Sequence, residues 1–452
     1  MIKRTLKQIQ DMVAGWGLQP QFEEIVVEGI QIDSRAIVPG QLYIPIIGAR
    51  VDGHTFTSGA FEKGAGAVLW QDGIAGAPTD QPVIFVTNTE TALQALATAY
   101  RNDLNLKIVG ITGSNGKTST KDILSSILAA NFRVHKTAGN FNSEFGMPLT
   151  VLLAPEDTEV CVLEMGMRGL GQISLLSHIA RPDAAIITNI GEAHIEELGS
   201  RENISIAKFE ITDGLVQNGI FVYPGEEPLL KEKAENLGKT LITFGESSSN
   251  DYFPTSLGIE AGGMVFTLKD AKTPIHLPIL GKHNVMNTLA AIAVARHFGM
   301  GYEAIQRGLS NLEMSKMRME IVTAKSGLTL INDAYNSSPT SVKATLDLLN
   351  ALTGYGKKIV VLADMLELGD NAAAYHRTVG EAIDPTHVQA VLTFGPLANA
   401  HLAAASRVAD TRTFEDKAAL AQALSEMAGS GDIALVKGSR GMKLEDVLEA
   451  LM

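Results

Sequence analysis

The chain has 452 residues, 45% of them hydrophobic and 19% charged, and 37 Lys and Arg against 50 Asp and Glu leave a formal net charge of −13. That length exceeds one ordinary core and implies two to four domains, while the apolar content is that of a globular protein, so disorder is not the default expectation. The acidic balance argues against a nucleic-acid binder, which presents a basic face.

The N-terminal MIKRTLKQIQDMVAGWG lacks a continuous apolar stretch and a small-residue cleavage site, so it reads as a short amphipathic helix and not as a secretory signal. No apolar run nears the roughly 20 residues of a membrane span. A cytoplasmic protein without a membrane partner is expected. IVVEGIQID, QLYIPIIG, VDGHTFTSGAFEKGAGAVLW and PVIFVTN then supply short strand-like runs separated by turn residues, with helical stretches such as Glu90–Tyr100 between them. A small α/β domain over residues 1–104 is expected.

The apolar strand LKIVGIT, Leu106–Thr112, runs into TGSNGKTS and then into Ile123, Leu124, Ile127 and Leu128 at helical spacing. The general pattern G-x-x-x-x-G-K-[ST] would need a glycine where Ile111 stands. The strand–loop–helix context nevertheless suits a phosphate loop, in a shorter form. Gly113 and Gly116 would let the backbone N–H groups of Ser114, Asn115, Lys117 and Ser119 approach phosphate oxygens at a helix N-terminus. Lys117 would reach the terminal phosphates and the Thr118 hydroxyl would ligate Mg²⁺. A capped helix with a solvated lysine is the plain alternative.

Two buried-type strands follow, VCVLEM (Val160–Met165) and AAIITNI (Ala184–Ile190), giving a mostly parallel sheet with ligands at its carboxyl edge. Cys161, the only cysteine, lies within the first, and reads as a buried, inert thiol. Glu164 ends that strand, where a carboxylate either holds Mg²⁺ or is simply solvated. His194 follows the second, as a structural group or as a ligand. In ENISIAKFEIT, Lys208 shares an apolar helix face with Ile204 and Ile211. Its stem either snorkels or its amine, deprived of water, is neutral enough to add CO₂ and become a carbamate. GIFVYPGEE, TLITFG and MVFTLKD are expected to add an antiparallel flank. In GKHNVMN, Asn284 and Asn287 fall on one helix face, as caps or as partners for the edge of an adenine. This central unit covers residues 105–313.

A third unit, 314–452, carries the strands LTLINDAY, KIVVLADM, AVLTFG and IALVKGSR interleaved with helices such as Ser341–Leu352, a doubly wound, Rossmann-like pattern. Arg318 and Asp333 flank its start. They either close over a nucleotide from this domain or are a surface charge and a turn former.

TGSNGKTS, LEMGMRG, TNIGEAHIEELGS with IAKFEI, GKHNVMN and DAYNSSP stand in the order and approximate spacing found in the Mur ligases, cytoplasmic ATP-dependent amide ligases of peptidoglycan synthesis, and the chain resembles that family over nearly its whole length. Within the family, DSRAIVPGQLYIPIIG, LADMLELG and VKGSRGMKLEDV resemble the member that adds D-alanyl-D-alanine to UDP-N-acetylmuramoyl-tripeptide through an acyl phosphate. The resemblance implies that Gly113–Ser119 and Lys117 hold the ATP phosphates. It implies one Mg²⁺ on Thr118 and Glu164 and a second on His194 and carbamylated Lys208. Asn284 and Asn287 would contact adenine, Asp333 the ribose and Arg318 the γ-phosphate, while Ser34 and Arg35 would meet the UDP-sugar peptide. Met317 departs from the glycine or histidine of many relatives. A monomer is expected. The rival readings are a sibling ligase adding one amino acid, a folylpolyglutamate synthase-like ligase, and a non-catalytic nucleotide-binding module; the hundred residues ahead of Leu106 weigh against the second.

Overall fold

A computed structural model describes residues 1–260 and 262–452. The central unit is built on six parallel strands in the order Thr240–Phe244, Ile220–Pro224, Ala184–Ile187, Lys107–Thr112, Val160–Glu164 and Val134–Lys136. Helices cover both faces, so the inner strands are apolar except near their ends and Val160–Glu164 has no exposed residue. Helix Lys117–Leu128 packs against Lys282–His297, whose Ala290, Ala291, Ala293 and Ala295 are all buried and permit close approach.

Two of the three runs expected as an antiparallel flank instead extend this parallel sheet: GIFVYPGEE supplies Ile220–Pro224 and TLITFG supplies Thr240–Phe244. Only MVFTLKD is antiparallel, in a separate sheet of Ser256–Glu260, Gly263–Thr267 and Ile275–Leu277. Strand direction is set by which helices cross over the sheet, and short apolar runs do not encode it. The N-terminus also differs from a single helix: Lys3–Thr5 pairs with Val26–Glu28, and the helix is confined to Leu6–Met12.

The first unit adds a parallel four-stranded sheet, Ile30–Gln31, Leu42–Tyr43, Ala67–Gln71 and Val83–Val86. Its last helix, Thr89–Leu104, lies against Gly146–Leu152 of the central unit, and the Tyr100 hydroxyl donates to the Ala154 carbonyl at 2.9 Å. Leu93, Leu96 and Tyr100 thereby share one buried cluster with Met147, Leu149 and Leu152. The third unit has five parallel strands, Thr329–Asn332, Ile433–Lys437, Lys358–Ala363, Ala390–Phe394 and Asp410–Phe414, with Glu320–Thr323 antiparallel at one edge. The two edge strands that were not expected, Glu320–Thr323 and Asp410–Phe414, are the partly exposed ones. Among the described residues no helix is long and apolar enough to cross a membrane.

Candidate active site

Strand Lys107–Thr112 passes directly through the loop Gly113–Gly116 into helix Lys117–Leu128. Ile111, at the position of the missing glycine, is a buried strand residue, so the loop is short because the strand runs one residue further. Gly113 and Gly116 have φ of +147° and +81°. A Cβ on Gly113 would run into the Thr188 hydroxyl, and one on Gly116 would stand 2.6 Å from Asn287 Oδ1. Both glycines are therefore demanded by backbone conformation and by close approach. The neighbouring strand end holds the loop: Asn115 N–H donates to Asn189 Oδ1 at 3.0 Å, and Gly191 N–H to Ser114 Oγ at 2.8 Å. Lys117 Nζ donates to its own loop, at Gly113 O, 2.7 Å away. Burial pulls its pKa down and Arg318 adds to that, against the opposing pull of Glu164.

Glu164, at the end of the adjacent strand, is buried and fully engaged. Its carboxylate accepts from Thr118 Oγ1 at 2.8 Å and from Asn142 Nδ2 at 2.9 Å. A hydroxyl and a carboxylate side by side below the phosphate loop are hard oxygen donors of the kind Mg²⁺ takes. Lys208, 1% exposed, points into the same cavity from helix Arg201–Phe209, with Ile204 and Ile211 buried beside it. Among the described residues its amine has no anionic partner. Burial and then the charge of Lys117 push its pKa well below the usual lysine range, which favours the neutral amine. His194 sits nearby with φ +67°, and its buried Nδ1 has no hydrogen-bond partner. Burial, then Lys117, Lys208 and Arg168, lower its pKa to about 4, so the imidazole is neutral and able to ligate. An imidazole nitrogen without a hydrogen bond, close to a buried amine whose pKa is lowered, fits a second cation, provided the amine gains a negative charge as a carbamate.

The third unit forms the opposite wall of a cavity of about 1050 Å³. Arg318 stacks on Tyr335 at 4.1 Å from the ring centroid. Asp333 pairs with the buried Lys437 at 2.5 Å and accepts from the Met319 N–H at 3.3 Å. Polar bonds join the walls: Ser338 Oγ donates to Asn115 Oδ1 at 3.0 Å and Thr340 Oγ1 to Glu192 Oε2 at 2.7 Å. His194 Nδ1 also lies 3.4 Å from Glu367.

Lys117, Thr118, Glu164, His194, Lys208, Asn287, Arg318 and Asp333 thus line one cavity together with Ser114, Asn115, Gly116 and Ser119. Asn284 does not line it: the side chain is buried, donates to Leu280 O at 2.8 Å and accepts from Asn287 at 3.3 Å, which orients Asn287. Ser34 and Arg35 lie in the first unit, away from this lining; Arg35 pairs with Asp33 at 2.7 Å. Sequence reading missed Lys437, Asn142, Glu192 and Thr340. Asn142 and Thr340 sit in ordinary polar loop and cap contexts, and nothing local marks them. Lys437, buried at the end of the apolar strand Ile433–Lys437, carried the same signal as Glu164.

Residues 111–295 match the Mur ligase middle domain, residues 317–440 the Mur ligase glutamate ligase domain, and residues 26–101 the Mur ligase family catalytic domain. The UDP-N-acetylmuramoyl-tripeptide–D-alanyl-D-alanine ligase of Bacillus subtilis (strain 168) is 48% identical over 100% of this chain and 99% of its own length. MurF from Acinetobacter baumannii superposes with a TM-score of 0.90 at 28% identity, over 100% of this chain and 99% of the other. MurF ligase from Thermotoga maritima in complex with ADP gives a TM-score of 0.84 at 28% identity, over 94% and 97%. Shared architecture and identity along the whole length lead to one conclusion: this chain belongs to the Mur ligase family.

Proposed function

We propose that the protein joins D-alanyl-D-alanine to UDP-N-acetylmuramoyl-tripeptide at the expense of ATP, completing the pentapeptide precursor of peptidoglycan. One observation carries the reading of the site: a phosphate loop, an acid-bearing strand end and a buried lysine without an anionic partner among the described residues face Arg318 and Asp333 of another domain across one cavity. Residues 1–104 would hold the sugar-nucleotide peptide, 105–313 the ATP, and 314–452 the incoming dipeptide. A monomer working in the cytoplasm is part of the same proposal.

A carboxylate is inert to amines because its leaving group is poor. Attack of the tripeptide carboxylate oxygen on the γ-phosphorus of ATP forms an acyl phosphate and releases ADP. The dipeptide amine, having lost its proton, then attacks the acyl carbon, and phosphate leaves from the tetrahedral adduct. Lys117 and the N–H groups of Gly113–Ser119 hold the phosphates, and Arg318 faces the γ-phosphate from the opposite wall. Asn287 would contact the adenine and Asp333 the ribose. Thr118 and Glu164 would hold one Mg²⁺, and His194 with the Lys208 carbamate a second; these ions supply neutralisation of charge on the transferring group. The carbamate forms as the neutral amine adds CO₂ and loses a proton. Closure of the walls around the substrates would exclude water, which would otherwise hydrolyse the acyl phosphate.

The test is phosphate release from ATP and Mg²⁺ with UDP-N-acetylmuramoyl-tripeptide, run with D-alanyl-D-alanine, with single amino acids, and with a folate plus glutamate. Dipeptide-dependent release with a pentapeptide product by mass is the expected result. Release confined to a single amino acid or to the folate would replace the proposed substrate.

A further inference from the structure

Arg318 stands between two residues in left-handed backbone, Met317 at φ +61° and Met319 at φ +54°. Side chains disfavour that region, so the segment keeps this shape only where its surroundings fix it from both ends. Downstream, the Met319 N–H donates to Asp333 and the Met317 N–H to Glu320 Oε2 at 3.2 Å. Upstream, everything converges on one carboxylate. The backbone N–H and the hydroxyl of Ser315 both donate to Asp122 Oδ2, at 2.9 and 2.7 Å.

Asp122 lies on helix Lys117–Leu128, which starts at the phosphate loop, and its side chain is fully buried. Its other oxygen meets Lys136 at 2.8 Å and Lys121 at 3.4 Å. Burial alone would raise its pKa, but Lys121, Lys136 and Ser315 prevail and keep it ionised. Lys121 in turn donates to the Thr137 carbonyl at 2.9 Å, and the Thr137 hydroxyl accepts from the Glu164 N–H at 3.0 Å. Neither Asp122 nor Ser315 lines the cavity. The lysines already neutralise Asp122, so its bonds to Ser315 are not needed for charge balance. What they do is tie the interdomain linker to the phosphate-loop helix three residues ahead of Arg318.

We infer that Asp122, acting through Ser315, is a positioning residue that sets Arg318 against the terminal phosphate of ATP. The inference rests on the assignment of Arg318 to the γ-phosphate made above. Asp122→Ala and Asp122→Asn would both leave Lys121 and Lys136 without their anion and risk misfolding, so Ser315→Ala, which leaves the ion pairs intact, is the primary variant, with Asp122→Asn, which keeps the side-chain volume, as the second.

The experiment measures binding of β,γ-methylene-ATP and of ADP, with Mg²⁺, to the wild type, Ser315→Ala, Asp122→Asn, Arg318→Ala and the Ser315→Ala/Arg318→Ala double variant. Thermal unfolding runs alongside. Ser315→Ala should weaken the ATP analogue about fivefold, the ratio that one net hydrogen bond represents, and leave ADP unchanged. Its kcat should fall roughly tenfold, short of the hundredfold that a full ångström of misplacement costs. In the Arg318→Ala background the same change should have no further effect. If Arg318→Ala discriminates between analogue and ADP but Ser315→Ala does not, the positioning role is overturned and the Arg318 assignment stands. Loss of both nucleotides in parallel, or an undiminished effect without Arg318, overturns it as well. If Arg318→Ala itself shows no discrimination, the γ-phosphate assignment falls and takes the inference with it.

Discussion

The two walls of the cavity are built on different terms. On the central wall the phosphate loop is held by backbone conformation, by its neighbour's Asn189 and by close contact with Thr188 and Asn287. The same wall carries two lysines, Lys117 and Lys208, both with pKa values lowered by burial. On the third-domain wall Asp333 and Lys437 cancel one another, and Arg318 is left without an anionic partner among the described residues. It reaches its partner through side-chain bonds such as Ser338–Asn115 and Thr340–Glu192. The first wall is built within one unit; the second meets it through these polar bonds and through a shared buried apolar cluster that includes Leu289 and Leu346. Catalysis that leans on preorganised charge should fail abruptly when the first wall is altered and gradually when the second is.

The largest effect is expected at Lys208. Lys208→Ala should cut kcat by about 10³-fold, the scale of losing one preorganised charged group in a closed site. Mass spectrometry of the gently handled wild type should show the added mass of CO₂ on Lys208. A variant with near-normal turnover would remove the carbamate from the scheme.

Gly113→Ala should come next. The added methyl has no room against Thr188, so ATP affinity should collapse. The domain should lose about 1–3 kcal/mol, as for backbone strain at a fixed turn. Normal nucleotide titration and an unchanged unfolding midpoint would mean that the loop is softer than its contacts imply.

Thr340→Val keeps the side-chain volume while deleting the bond to Glu192. It should lower kcat about tenfold with ATP binding nearly unchanged, and solution scattering should report a larger radius of gyration. An equally compact variant would contradict the dependence on polar bonds.

The smallest effect is expected at Met317, where a methionine occupies left-handed backbone. Met317→Gly should stabilise the protein by up to about 1 kcal/mol, the left-handed penalty less the entropy of the freer unfolded chain. Destabilisation in a thermal melt would show that the Met317 side chain is held by packing worth more than the strain.

Much of this was legible along the chain. The buried strands could be read because parallel strands covered on both faces must be apolar except near their ends, and the phosphate loop because its glycines and lysine are adjacent. Lys208 showed itself as a cation on an apolar helix face. The partly exposed edge strands Glu320–Thr323 and Asp410–Phe414 lacked any such signal. Asn284 and Asn287 looked equivalent at a spacing of three. Only the packing of helix Lys282–His297 turned one toward the cavity and the other toward Leu280.

By itself, then, the order of residues determined those features whose physical cause is local: strand burial, the glycine-dependent loop, and the helix that follows it. Tertiary structure decided the rest. It directed Ile220–Pro224 and Thr240–Phe244 into the parallel sheet, paired Asp333 with Lys437 across 104 residues, and joined Asp122 to Ser315 across 193. Contacts at that separation depend on how domains stack and on which groups lose their water together, and neither is written in any short stretch of chain.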